Sequence, residues 1–186
     1  MTFSVSSRLL TVILLCVLFQ AGCGKAHNTL PITRVQKDVG KKFLATQPEI
    51  VVVGTRVEQG YSGDYLIADL VLVNPLGVPL YYRGYEVHSR QGATPGEIHP
   101  FYEEHTKTTA NPNWQDEKIR WCGTGSGLMV VPPHHAGRFE AKIDLSDRAS
   151  KIGVAYSTSH ARGEEYEFDE LVWSNELIVP PNSAQK

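Results

Sequence analysis

The stretch GRFEAKIDLS, Gly137 to Ser146, constrains the fold more than any other in the chain. Phe139, Ala141, Ile143 and Leu145 alternate with Arg138, Glu140, Lys142 and Asp144. Successive side chains of a β-strand point to opposite faces, so this period places the first set in a core and the second in water. No stretch after residue 47 sustains the 3.6-residue period of an amphipathic helix. The sequence predicts sheets with one packed face.

Other segments agree. EIVVVGTRVE is apolar and β-branched, and DYLIADLVLVNP ends on the turn signal Asn74-Pro75. PLYYRGYEVHS is rich in tyrosine, GLMVVPP is short, and KIGVAYS and SNELIVP read as two more strands. NPLGVP, VPPHHAG and HARGEE interrupt them with Gly or Pro. EEYEFDELVW also reads as a strand, with Tyr166, Phe168 and Val172 on one face and Glu165, Glu167 and Asp169 solvated on the other. Six to eight short strands imply an all-β fold, an antiparallel β-sandwich over residues 48–180 with a short tail at 181–186. At the level of architecture the domain resembles immunoglobulin-like and fibronectin-like exported modules.

Residues 1–19 stand apart. Arg8 is their only charge, and LLTVILLCVLF follows, eleven residues with Thr11 as the one polar member. A bilayer-crossing helix needs about 20 apolar residues, so this run is short for a span. A positive start, a short apolar centre and small residues at the end describe a signal peptide over residues 1–22. A short anchor that is never cleaved is the alternative.

The run ends in Gln20-Ala21-Gly22-Cys23. This segment resembles the lipobox of bacterial lipoprotein precursors. Ala21 and Gly22 match its small positions, Cys23 matches its modified cysteine, and Gln20 stands where leucine is usual. The resemblance implies cleavage before Cys23, acylation of its sulfur and anchoring in a membrane by lipid. Each buried methylene of such a chain contributes about 0.8 kcal/mol, so two or three chains anchor stably. Gly24 rather than Asp follows the cysteine, which in that family leans toward the outer membrane.

Residues 23–47 read as a flexible basic tether. Lys25, Arg34, Lys37, Lys41 and Lys42 face a single acid, Asp38, whereas 12 basic and 19 acidic residues follow from Pro48 onward, a formal net of −7. Basic residues beside a lipid anchor are attracted to anionic headgroups; a solvated spacer is the plainer reading, and DVGKKFLATQ could also add a short helix or edge strand. An acidic domain argues against nucleic-acid binding, which needs concentrated positive charge. Cys16 lies in the signal and Cys23 at the lipid site, leaving Cys122 as the one cysteine of the domain and excluding an internal disulfide.

Residues 90–118 show no convincing period and read as a long loop of the kind that often carries function. His99, Tyr102, Glu103, Glu104, His105 and Trp114 are its candidate binding residues. His99, Glu103 and His105 also offer zinc-type ligands, although the spacing fits no helical metalloprotease motif. Cys122, in RWCGTGSG, could act as a nucleophile with His134 or His135 as base, but no known hydrolase signature surrounds it. Tyr81, Tyr82 and Tyr85, with Tyr102 and Trp114, suit either sheet packing or a binding surface. The expectation is an exported, lipid-anchored envelope module with a binding or structural role. Its partners are the membrane, through the lipid, and a protein or cell-surface component. No catalytic residue, cofactor, metal or nucleic acid is expected, and a Cys122 hydrolase or a His99/Glu103/His105 zinc enzyme is the rival.

Overall fold

The computed structural model describes residues 25–26, 29–43, 46–61, 63–85, 96–117, 126–165 and 167–181. Cys23, Cys122 and Tyr166 lie outside the described residues. In chain order the elements are β1 (Lys25–Ala26), β2 (Leu30–Pro31), α1 (Ile32–Val39), β3 (Glu49–Gly60), β4 (Gly63–Asn74), β5 (Leu80–Tyr85), β6 (Glu103–Lys107), β7 (Gln115–Glu117), β8 (Ser126–Val131), β9 (His135–Asp144), β10 (Arg148–Ser157), α2 (His160–Glu164), β11 (Glu170–Trp173) and β12 (Leu177–Val179). The protein is an antiparallel all-β sandwich, as its alternating sequence predicts.

One sheet holds β2, β9, β4 and β3 in that order; the other holds the remaining strands. Among the described residues the paired strands are antiparallel except β1 with β8. β10 organises the larger sheet. Gly153 pairs with both Glu103 and Trp173, and Tyr156 with both Tyr82 and Glu170. A residue's two partners must flank it, so β5 and β6 share one edge of β10 while β11 and β12 share the other. The main core lies between the sheets, with Leu66, Ala68, Leu70 and Leu72 of β4 and Phe139, Ala141 and Ile143 of β9 facing Leu80, Tyr82, Ile152, Val154 and Tyr156. Each large apolar side chain buried there contributes about 2 kcal/mol.

A second cluster lies on the far side of the smaller sheet. α1 packs there, placing Val35 on Val71, Val73 and Ala136, and Phe43 of the segment after it joins the same cluster, with Val51 and Val53 alongside. The helix ends at Gly40, whose φ of 65° suits glycine. This corrects the expectation of a flexible tether over residues 23–47: residues 30–43 belong to the folded unit. Amphipathic spacing does it, since Ile32, Val35 and Val39 share one helix face.

The region read as a long loop is also corrected. Residues 96–107 stitch the two sheets together. Ile98 N–H donates to Arg138 O at 2.6 Å on the smaller sheet. One step on, Tyr85 N–H donates to His99 O at 3.2 Å and Phe101 N–H to Arg83 O at 2.8 Å on the larger. β6 then runs along β10 and β7 along β6. The approach is close enough to require glycine at two points. A Cβ on Gly84 would sit 2.5 Å from His99 O, and one on Gly137 would sit 2.4 Å from Ile98. Within EEYEFDELVW the described strand is Glu170–Trp173, and HARGE, ending on its first residue Glu164, is the one-turn helix α2.

Candidate functional site

Two outer faces compete for a binding role. α1 covers part of the smaller sheet's outer face. Much of the rest is self-paired: Arg56 reaches Glu58 at 2.7 Å, Asp69 at 2.5 Å and Glu140 at 2.8 Å. Tyr65 on this sheet lies under Lys142 Nζ at 3.7 Å, whereas the outer face of the larger sheet gathers Trp114, Trp173 and His105 in one place.

Glu103, His105 and Lys107 of β6 point outward, opposite Gly153, Lys151 and Ala149 of β10. Gly153 leaves room for its other neighbour, Trp173, whose ring would lie 2.7 Å from a Cβ there. The His105 ring packs on Trp173 at a tilt of 42° with ring centroids 4.0 Å apart, and its Nε2 lies 2.5 Å from Asp116 Oδ1. Trp114, in the β6–β7 connection, folds back over the sheet. Lys107 Nζ lies 4.5 Å and Lys151 Nζ 4.6 Å from its ring centroid. Such cation–π contacts are attractive by about 0.5–1 kcal/mol at exposed sites. Lys107 is held in place by Glu176 at 2.7 Å. Beside the patch lies a cavity of about 450 Å³ that reaches Thr108, Pro112, Glu176 and the exposed Ile178. The result is a half-buried, oriented platform of two tryptophans, one histidine and two lysines.

The six candidate loop residues separate into three groups. His105 and Trp114 join this patch, and Glu103 stands exposed on the same face. His99 lies apart, 3.1 Å from Glu97 and stacked on Tyr85 at 5.3 Å, near Phe101 and Arg83. Tyr102 and Glu104 turn inward and are corrected from surface to interior residues. Tyr102 Oη accepts the Lys142 N–H at 3.0 Å, and burial pushes its phenol up to about 12. Glu104 accepts from Ser150 Oγ at 2.8 Å and meets Arg148 Nη2 at 3.2 Å; Arg148 Nη1 reaches Glu117 at 3.2 Å. Burial raises the Glu104 pKa, against the lowering effect of Ser150 and Arg148. Period-two alternation explains the division: even-numbered β6 residues face in, odd-numbered ones out.

Among the described residues no three His, Cys, Asp or Glu side chains stand together as a metal site, so His99, Glu103 and His105 do not form the zinc constellation. His134 and His135 lie at the β8–β9 turn. His134 adopts φ 57°, its carbonyl accepting the Ile32 N–H at 3.1 Å, and His135 Nδ1 lies 2.8 Å from Pro133 O. Both have structural duties at the α1 junction. Trp173, Lys107 and Lys151 were not legible as site residues. They are 66 positions apart at most, and only the pairing of β6, β10 and β11 brings them together.

Compared with protein-family models, curated proteins and solved structures, the chain shows no match.

Proposed function

We propose that the protein is an exported module, anchored by lipid at Cys23 in the cell envelope, that binds a protein or cell-surface partner through the outer face of its larger sheet. The carrying observation is the Trp114 ring in contact with the ammonium groups of both Lys107 and Lys151, on the face that carries the Trp173–His105 pair. Aromatic residues that are oriented yet accessible are characteristic of interfaces, where they bury large area at little entropic cost. The anchor rests on the apolar run to Phe19 and on Ala21-Gly22-Cys23.

Cell fractionation tests the anchor. Cys23→Ala should move the protein from the membrane fraction to the soluble one, or leave it uncleaved. An unchanged size and unchanged membrane fraction would refute lipidation. The binding face is tested by cross-linking in intact cells. Trp114→Ala with Lys151→Ala should remove the cross-linked species formed by the wild type while the thermal midpoint moves little, since both residues lie outside the core. An identical cross-linking pattern from the variant would sink the assignment of this face.

A further inference from the structure

α1 has a second face. Ile32, Val35 and Val39 are turned to the sheet. Arg34 and Lys37, three apart and exposed, share the opposite side, and Lys41 and Lys42 follow directly after the Gly40 cap. Asp38, the one acid among residues 25–47, is turned toward Arg138 at 3.5 Å. The exposed side is therefore basic, on a domain that is otherwise net acidic.

The position of this face matters as much as its charge. Lys25 and Ala26 pair with Met129 and Val130, and Leu30 and Pro31 with Ala136 and His135. Cys23 is thus only two residues from the first paired residue, Lys25, and nine from the start of α1. Nine extended residues reach about 30 Å at most, and two about 7 Å. An anchor at Cys23 holds the domain next to the bilayer with no long spacer between them.

We infer that the exposed side of α1 and the turn after it, with Arg34, Lys37 and Lys42, is a docking surface for anionic lipid headgroups that orients the domain on the membrane. The inference rests on the lipid-anchored reading above. Charge complementarity commits it to anionic lipid rather than to lipid in general, because this face presents ammonium and guanidinium groups and no large apolar side chain. Basic residues close to an anionic bilayer are attracted to it over about a Debye length. α1 lies on the outside of the smaller sheet and the Trp114 platform on the outside of the larger one. Docking through α1 therefore turns the platform away from the membrane, toward a partner.

The test uses the full acylated chain, purified from membranes and reconstituted into phosphatidylcholine vesicles with and without phosphatidylglycerol. A membrane-impermeant amine reagent and peptide mass spectrometry then read each lysine separately. Lys37 and Lys42 should be modified about threefold or more slowly in the anionic vesicles, and this protection should vanish in about 0.5 M salt. Lys107 and Lys151, on the opposite face, should react alike in both. The variant Arg34→Gln/Lys42→Gln should weaken the protection of Lys37 without changing the circular dichroism spectrum. Equal reactivity of Lys37 and Lys42 in the two vesicles, with the chain still floating with both, overturns this inference and leaves the anchor standing. A chain that floats with neither vesicle overturns the anchor and this inference together.

Discussion

Arg148→Met is expected to destabilise the protein by about 3 kcal/mol at neutral pH, the lower end for breaking a buried ion pair. The Arg148 side chain is 16% exposed and that of Glu104 only 7%, so removing the guanidinium leaves a carboxylate without its charge partner inside the sheet. Ser150 still donates to it, which moderates the loss. The pH dependence has a definite sign. Burial already holds the Glu104 pKa above its ordinary value of 4.5, so the folded state binds this proton more tightly than the unfolded state. Stability from that source is present below the unfolded pKa and is lost as pH rises through the folded one. Without Arg148 the folded pKa rises further. The deficit of Arg148→Met should therefore be largest at neutral pH and shrink toward about pH 3, where the carboxyl is protonated in both states. Glu104→Leu/Arg148→Met should recover more than half of the loss at neutral pH, because no charge is then left unpaired in the interior. Urea unfolding of Arg148→Met, Glu104→Leu and the double variant at both pH values measures this. Strict additivity of the two single substitutions would show that Glu104 and Arg148 do not act as a pair.

The same network explains why the region before residue 118 was hard to read. A strand is recognised by apolar residues at every second position, and EEHTK has none. Its inward face is Glu104 and Thr106, buried at 6% and 5% exposure by partners that are themselves polar: Ser150, Arg148 and Glu117. Partners for these groups come from β7 and β10, and the β10 residues lie more than forty positions away, so no local pattern announces them. GRFEAKIDLS was legible because its pairing neighbour β4 is long and its outer residues meet water.

The sequence carries a second signal in strands that are apolar on both faces. In EIVVVGTRVE the residues Ile50 and Val52 face the main core, while Val51 and Val53 face the second cluster. β4 does the same, with Leu70 and Leu72 on one side and Val71 and Val73 on the other. Apolar residues on both faces of an antiparallel strand require a cover on each side. That requirement predicts a layer outside the smaller sheet, and the amphipathic ITRVQKDV was the available candidate. The outer platform had no comparable signal. Trp114 reads as a loop residue and Trp173 as the end of a strand until β10 sets them side by side.

Val35→Asp is expected to detach α1 while leaving the sandwich folded. Val35 is fully buried against the apolar Val71, Val73 and Ala136, and the cation beside them, Arg138 opposite Val71, already faces Asp38 at 3.5 Å. Burying an unpaired charge there costs several kcal/mol. Val35 and Phe43 contribute about 2 kcal/mol each by burial, so the penalty is comparable to the largest contacts that hold the helix down. The main core shares no residue with the α1 cluster, so the cheaper response is local opening rather than global unfolding. Trypsin reads the difference, because cleavage after Arg34, Lys37 or Lys42 requires this segment to leave its helical docked state. Cutting within residues 34–42 should accelerate about tenfold or more in Val35→Asp, with the β-sheet circular dichroism retained. Simultaneous digestion of the whole domain would mean that α1 is integral to the sandwich, and unchanged cleavage would mean that the second cluster does not hold it. The retained-fold outcome also has a functional consequence. Release of residues 30–43 converts a short, strapped junction into a long flexible one, so the same variant should lose the lysine protection on anionic vesicles that the docked helix confers.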